Sequence, residues 1–200
     1  MAVVHRTTLR PGKLDLLTTW LPTRQWFTGT TPQLHRGGGF RLDDPAGEVG
    51  IECMIVIDTA DPARPAYHVP LTYRGAPLPG AEAALVGTSE HGVLGRRWIY
   101  DAAADPVAVA QFTALLTGAA TAQDQDLSDT PARTVELVTA DPQVSLSVRV
   151  HRTPAAAPES RRGWALSSWT DAEGAPARGI VLEARENPAP TSAGEESGRS

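Results

Sequence analysis

Hydrophobic residues near the start of the chain recur with a helical period. Leu14, Leu17 and Leu21 are spaced by three and four residues, which places them on one face of a helix. We therefore predict a helix over 13–20, and Pro22 ends it because a proline cannot continue the backbone hydrogen bonding.

A second helical stripe follows the middle of the chain. Val109, Phe112 and Leu116 space out as one apolar face. Asp105 and Pro106 precede that stripe as an N-cap residue and an N1 proline, so this helix is predicted from Pro106 to about residue 120.

Runs and alternations of apolar residues predict a set of short strands. The nearly unbroken apolar run over 49–58 suits a strand covered on both faces, and strict alternation over 143–151 suits one with a buried and a wet face. Pro70 lacks an amide proton, so its strand is expected to be bulged or at an edge there. Short connections favour antiparallel pairing. The strands are predicted at Val49 to Asp58, Ala66 to Arg74, Glu82 to Ser89, Arg96 to Asp101, Arg133 to Thr139, Gln143 to His151 and Gly179 to Ala184.

Three consecutive glycines, Gly37, Gly38 and Gly39, precede the first strong strand. They lack the Gly-Lys-Ser/Thr ending of a P-loop and the Gly-x-Gly-x-x-Gly spacing of a dinucleotide loop. We interpret them as a flexible connection.

Composition indicates one globular domain. The chain has 200 residues, 41% of them hydrophobic and 20% charged, which suffices for one sizeable core. From residue 187 onward Pro, Ser, Gly and Glu dominate without a large apolar side chain. We therefore predict a domain over 1–186 and a disordered tail over 187–200.

The charge balance and the absence of apolar spans disfavour several partners. A formal net charge of -5 repels nucleic acid and anionic membrane surfaces. Neither a signal-peptide pattern nor an apolar stretch near 18 residues occurs, so we expect a cytoplasmic protein.

Candidate chemistry is sparse. The five histidines are scattered without metal-ligand spacing, and Cys53 lies in an apolar run as a small core residue, so no metal or cofactor is expected. A kinase would need a catalytic Asp, a metal-binding Asp and a phosphate-binding Lys. The sole lysine, Lys13, precedes every predicted strand, and neither His-Gly-Asp nor His-Arg-Asp occurs.

Two segments carry a resemblance to a known family. The stretch Trp20-Leu21-Pro22-Thr23-Arg24-Gln25-Trp26-Phe27 precedes Tyr100-Asp101-Ala102 and then Asp105-Pro106, and in this order they resemble the N-terminal cap domain of maltokinase. The likeness runs from about residue 14 to 120. It implies an α+β fold in which a curved antiparallel sheet, similar to the cystatin-like fold, packs against one or two helices. The structural motif that it marks comprises Trp20, Pro22, Arg24, Trp26, Tyr100, Asp101 and Asp105.

The resemblance names a domain without naming a reaction. It implies a free-standing actinobacterial cap-like protein without the kinase lobe, and a single Lys and Asn beside many Arg and Ala agree with a GC-rich genome. We expect a non-catalytic interaction module whose protein partner is an enzyme of α-glucan or trehalose metabolism. The alternative is a small-ligand binding protein, or an unrecognised enzyme, that uses the concave face of the sheet with His68, Tyr73 and Arg97. Trp20, Trp26 and Trp98 either fill the core or stack on sugar rings, and core packing is favoured.

Overall fold

A computed structural model describes residues 9–156 and 162–187. Within these ranges the chain forms two helices and ten strands, which pair antiparallel throughout. The elements are β1 (Leu9–Arg10), α1 (Lys13–Trp20), β2 (Leu34–Leu42), β3 (Gly50–Asp58), β4 (Ala66–Arg74), β5 (Leu85–His91), β6 (Gly95–Asp101), α2 (Pro106–Leu116), β7 (Val135–Val138), β8 (Leu146–Ala155), β9 (Trp164–Thr170) and β10 (Pro176–Glu186).

The strands form two sheets. Sheet A has the order β1-β5-β6-β4-β3-β2, and sheet B has the order β7-β9-β10-β8. Within sheet A, β4 pairs with β3 along most of its length but with β6 only from Leu71 to Arg74. Pro70 therefore sits just before the β4–β6 ladder begins, in a part of β4 that behaves as an edge, as its missing amide proton requires.

One face of sheet A is covered by α1 and the aromatic segment after it. Leu17 and Leu21 are fully buried there against Met54, Val56 and other apolar side chains of β3, β4 and β6. The three-and-four spacing of the leucines aligns them on one face of α1. The helix has the predicted bounds, Lys13–Trp20. We call this side of sheet A the α1 face.

The other face of sheet A packs against α2 and sheet B. Ile51, Cys53 and Ile55 of β3 share one core cluster with Phe112 of α2 and Val181 of β10. We call this side the sheet-B face. Because that cluster joins both sheets through α2, the two sheets enclose a common core.

Helix α2 begins as predicted and ends earlier. The Asp105 carboxylate accepts a hydrogen bond from the Val107 amide at 3.0 Å, and Pro106 is the first helical residue. The helix stops at Leu116 because Gly118 adopts a positive φ of 79° and donates its amide to the Leu115 carbonyl.

The triple glycine is part of strand β2, so the interpretation as a flexible connection is wrong. Strand β9 of sheet B crosses β2 at this point. A Cβ at Gly37 would lie 3.2 Å from Trp169 Cδ1, and one at Gly38 would lie 3.3 Å from Trp169 Cβ. The glycines therefore allow close packing of the two strands rather than mobility.

The architecture is α+β, a curved antiparallel sheet arrangement with two short helices, and the predicted fold class is confirmed. No helix in the described ranges is long and apolar enough to cross a membrane. Of the predicted tail, residues 188–200 lie outside the described residues. Asn187 is described, and its amide donates to the Ser145 carbonyl at 2.9 Å.

Candidate functional site

The structure separates His68 from the other two side chains predicted to share a ligand face. His68 lies on the sheet-B face, fully buried, with Nδ1 3.2 Å from the His151 carbonyl oxygen of β8. Tyr73 lies on the α1 face. Arg97 is two residues before Ile99 in β6, so both side chains lie on that same face. Sheet B thus covers the position at which His68 was expected to meet a ligand.

Burial controls the charge of His68. Removal from water lowers the pKa of its imidazole to about 3, and the nearby positive charge of Arg152 acts in the same direction. His68 is therefore neutral at physiological pH and serves as a polar contact between β4 and β8.

A buried ionic cluster lies on the α1 face, and sequence reasoning missed it. Glu52 is 5% exposed and accepts hydrogen bonds from Lys13 Nζ at 2.6 Å, Tyr73 Oη at 2.7 Å and Gln125 Nε2 at 3.0 Å. Its contacts thus join α1, β3, β4 and the loop before β7. The available signal was a single acidic residue inside the apolar run over 51–57.

The partners keep Glu52 ionised. Burial alone would raise its pKa, but the charge of Lys13 and the hydrogen bonds from Lys13 and Tyr73 outweigh burial and hold the pKa below its usual value. Burial and the adjacent Glu52 raise the pKa of Tyr73 well above its ordinary value. Because each acceptor oxygen of Glu52 is bound, the cluster is organised to fix the fold rather than to exchange protons.

The aromatic segment after α1 forms a second cluster. Trp20, 6% exposed, meets the half-buried Trp26 with ring centroids 6.0 Å apart, and Trp26 lies 6.1 Å from the Tyr67 ring. The guanidinium carbons of Arg24 and Arg152 lie over Trp20 and Trp26, at 4.8 and 5.0 Å from the ring centroids. Protein groups therefore already contact Trp20 and Trp26, two of the three rings that were considered for sugar stacking, whereas the third, Trp98, lies in β6.

Two aspartates of the sequence motif form ion pairs with arginines at the end of β6 and just after it. Arg74 donates from Nε and Nη2 to the two oxygens of Asp105, at 2.7 and 2.6 Å. Arg152 of β8 donates from Nη2 to Asp101 at 2.6 Å. Burial would raise the pKa of Asp105, but the Arg74 hydrogen bonds are among the interactions that bring it below its usual value.

The remaining motif residues also have local structural contacts. The Tyr100 hydroxyl accepts a hydrogen bond from the Leu78 amide at 2.9 Å. Pro22 occupies a short 3-10 turn over Leu21–Thr23, directly after α1. These contacts give Tyr100 and Pro22 structural roles.

An open cleft lies where the two sheets meet, and sequence reasoning missed it too. It has a volume of about 550 Å³. Arg36 of β2 donates from Nη2 to Gln125 Oε1 at 2.8 Å and to Asp126 Oδ2 at 2.9 Å, which holds the loop against the strand. The lining comprises Arg36, Gly37, Gly38, Gly39, Asp124, Gln125, Asp126, Thr134, Ser168, Trp169 and Thr170.

Groups suited to a metal ion do not come together in the part of the chain that the structure describes. Over those residues, no three or more His, Cys, Asp or Glu side chains are arranged to hold an ion. Cys53 is fully buried, and burial raises the pKa of its thiol well above the usual value.

Comparison with known proteins identifies the central part of the chain. Residues 20–105 match the model of the maltokinase N-terminal cap domain, while a search of curated proteins finds no match. The matched region runs from the aromatic segment through β2–β6 of sheet A to the Asp105 cap, and it is the region of an accessory domain rather than a catalytic one. Helix α2 and sheet B lie beyond it. Residues 20–105 are thus similar to the maltokinase N-terminal cap domain.

Proposed function

We propose that this chain is a non-catalytic interaction module that acts in an actinobacterial cytoplasm by binding another protein. The partner we expect is an enzyme of α-glucan or trehalose metabolism, because the matched cap domain is a part of maltokinase. The observation that carries the proposal is an exposed apolar pair at the turn between β5 and β6.

That pair is Val93 and Leu94, whose residues are 65% and 45% exposed. They are adjacent and project from a hairpin inside the matched region, whereas the core side chains on both faces of sheet A are covered. Apolar side chains at the centre of an interface supply much of its binding energy, and a polar surround excludes water. Arg96 and Glu90, which form an exposed ion pair on the same hairpin, provide such a surround.

The arrangement of charged groups supports the non-catalytic part of the proposal. The buried carboxylates Glu52 and Asp105 are bound to Lys13 and Arg74, and both have lowered pKa values. A general acid or base needs a pKa near the working pH and access to a substrate. These carboxylates have neither property.

Site-specific photo-cross-linking tests the interaction. A photoreactive phenylalanine analogue at position 93 should give a defined cross-link to an enzyme of α-glucan or trehalose metabolism in the native cell. The same analogue at Ala63, an exposed position in the turn between β3 and β4, is the matched control and should give none. Equal products at both positions, or none at position 93, would contradict the proposal.

Calorimetry tests the absence of kinase function separately. Titration with ATP and magnesium should give no saturable heat, and incubation with maltose and ATP should give no phosphorylated sugar. A dissociation constant in the micromolar range, on the order of -8 kcal/mol, would show a nucleotide site and overturn the non-catalytic assignment.

A further inference from the structure

The cleft at the junction of the two sheets has the features of a built site. Its floor is the backbone of Gly37, Gly38 and Gly39, and Trp169 of β9 lies against the first two of these glycines. A Cβ at Gly39 would lie 2.1 Å from the Cys53 carbonyl oxygen and 2.9 Å from Gln125 Nε2, so a side chain there would clash with β3 and with the lining of the cleft. The glycine run therefore lets Trp169 and Gln125 pack against this part of β2, where they line the cleft.

The polar wall opposite is held in place by hydrogen bonds. Gln125 accepts from Arg36 and donates to the buried Glu52, so its amide plane is fixed at both ends. The Asp124 carboxylate accepts from the amides of Asp126 and Leu127 at 2.8 and 3.0 Å. Planar donors and acceptors held in this way lose little conformational entropy when they bind a ligand.

The charges of the cleft select against an anionic ligand. The Arg36 guanidinium is already paired with Asp126, so an anion would compete with that carboxylate. The Asp126 side chain is 72% exposed and its carboxylate can still accept hydrogen bonds on the solvent side. The lining of the cleft thus includes the fixed amide of Gln125, two carboxylates, two hydroxyl-bearing residues and one indole ring. These belong to Gln125, Asp124, Asp126, Thr134, Ser168 and Trp169.

We propose that this cleft binds a neutral, ring-shaped polyhydroxylated ligand, that is, a sugar. The C–H face of a sugar ring packs on the apolar indole of Trp169, while its hydroxyls, which both donate and accept, pair with Gln125 and Asp126. The cleft volume of about 550 Å³ lies in the usual range of small-molecule sites. The residues involved are distinct from the Val93–Leu94 hairpin, so this inference is independent of the proposed function.

Calorimetric titration with D-glucose, maltose, sorbitol and inorganic phosphate tests the assignment. Glucose or maltose should bind with a dissociation constant on the order of 1 mM, as expected for an open polar cleft. Sorbitol, which carries similar hydroxyls without a ring, should bind at least about tenfold more weakly, as should phosphate, each a difference of about 1.4 kcal/mol. Saturable phosphate binding with no sugar binding, or no binding by either sugar, would overturn the proposal.

Three variants locate the site. Asp126→Ala, at an exposed position, should weaken sugar binding about tenfold or more, with far-UV circular dichroism and melting temperature retained. Trp169→Phe should weaken it several-fold with far-UV circular dichroism retained, and its melting temperature should fall because Trp169 is partly buried against the core. Glu90→Ala removes the carboxylate of another exposed Arg–carboxylate pair, with Arg96, and should leave sugar affinity unchanged. Sugar affinity that is the same in all three variants would place binding elsewhere and refute the cleft assignment.

Discussion

Lys13 and Glu52, 39 positions apart in the chain, form an ion pair at 2.6 Å between the start of α1 and the middle of β3. The carboxylate is almost fully buried, whereas the ammonium retains about a third of its exposure. The pair therefore attaches a helix outside the region matched by the family model to the central sheet inside it.

Loss of Lys13 should destabilise the fold. Lys13→Met leaves the Glu52 charge buried with only Tyr73 and Gln125 as donors, and we expect a loss of about 2 kcal/mol in the free energy of unfolding, below the full cost for a deeply buried pair because Lys13 is partly exposed. Urea denaturation measures it. The double variant Lys13→Met/Glu52→Gln should recover part of the loss, and Glu90→Gln at the exposed pair should change stability by less than about 0.5 kcal/mol. A single variant as stable as the wild type would contradict the structural role of the pair.

Protonation of His68 should make the fold sensitive to mild acid. Its pKa of about 3 in the folded protein lies below the 6.5 of the unfolded chain, so its contribution is complete above pH 6.5 and is lost progressively as the pH falls toward 3. Between pH 6.5 and 4.5 the loss should reach roughly 2 kcal/mol. Glu52 and Asp105, whose pKa values are lowered from about 4.5 and 3.8, lose most of their own contributions below that window.

Denaturation midpoints measured across pH 7 to 4.5 in His68→Gln and in the wild type check this dependence. The variant should show a flatter profile, and His35→Gln, at an exposed position in β2, is the control that keeps the wild-type profile. Identical slopes in His68→Gln and wild type would show that another group produces the acid sensitivity.

Substitution of Gly39 should disrupt the pairing of β2 with β3. Gly39→Ala places a methyl 2.1 Å from the Cys53 carbonyl oxygen at a φ of 139°, so the strands must separate, and we expect a loss of about 3 kcal/mol or more. Gly47→Ala is the matched control, because its φ is also positive, 71°, but no atom lies within 4 Å of the added methyl. Thermal melts should show a much smaller effect for the control, and equal losses would mean that backbone strain alone decides the outcome.

Removal of the Trp26 ring should weaken the contact between the aromatic segment and sheet B. The ring is half-buried and lies between Trp20, Tyr67 and the Arg152 guanidinium, so Trp26→Ala should cost about 2 kcal/mol, less than a fully buried tryptophan. Trp26→Phe should retain most of that stability. A melting temperature unchanged in Trp26→Ala would show that the ring makes no net contribution.

Elements with a regular apolar period were predicted correctly from the sequence. The strand Ala66–Arg74 and the helix Lys13–Trp20 have the predicted bounds, because each repeats its own period over eight or more residues. Strand β2 was missed because three glycines at its centre carry no side chains and so produce no alternation. Its pairing with β3 is visible only once the partner strand is known.

Contacts between distant residues explain why the candidate sites were harder to predict. The cleft depends on Arg36 and Gln125, which are 89 positions apart, and the burial of His68 depends on β8, 83 positions away at His151. The surroundings of His68 and Gly38 are set by what the second sheet brings against them, and no local spacing encodes that arrangement.

Because Lys13 is the sole lysine of the chain and its amine lies against Glu52, amine-directed reagents offer a direct reading of helix docking. The docked amine donates to the buried Glu52 carboxylate and its side chain keeps about a third of its exposure, so it should react more slowly than the amine of a detached α1. The kinetics of labelling at Lys13, read by peptide mass spectrometry so that the α-amino group is followed separately, would thus report the opening of this helix without any engineered probe.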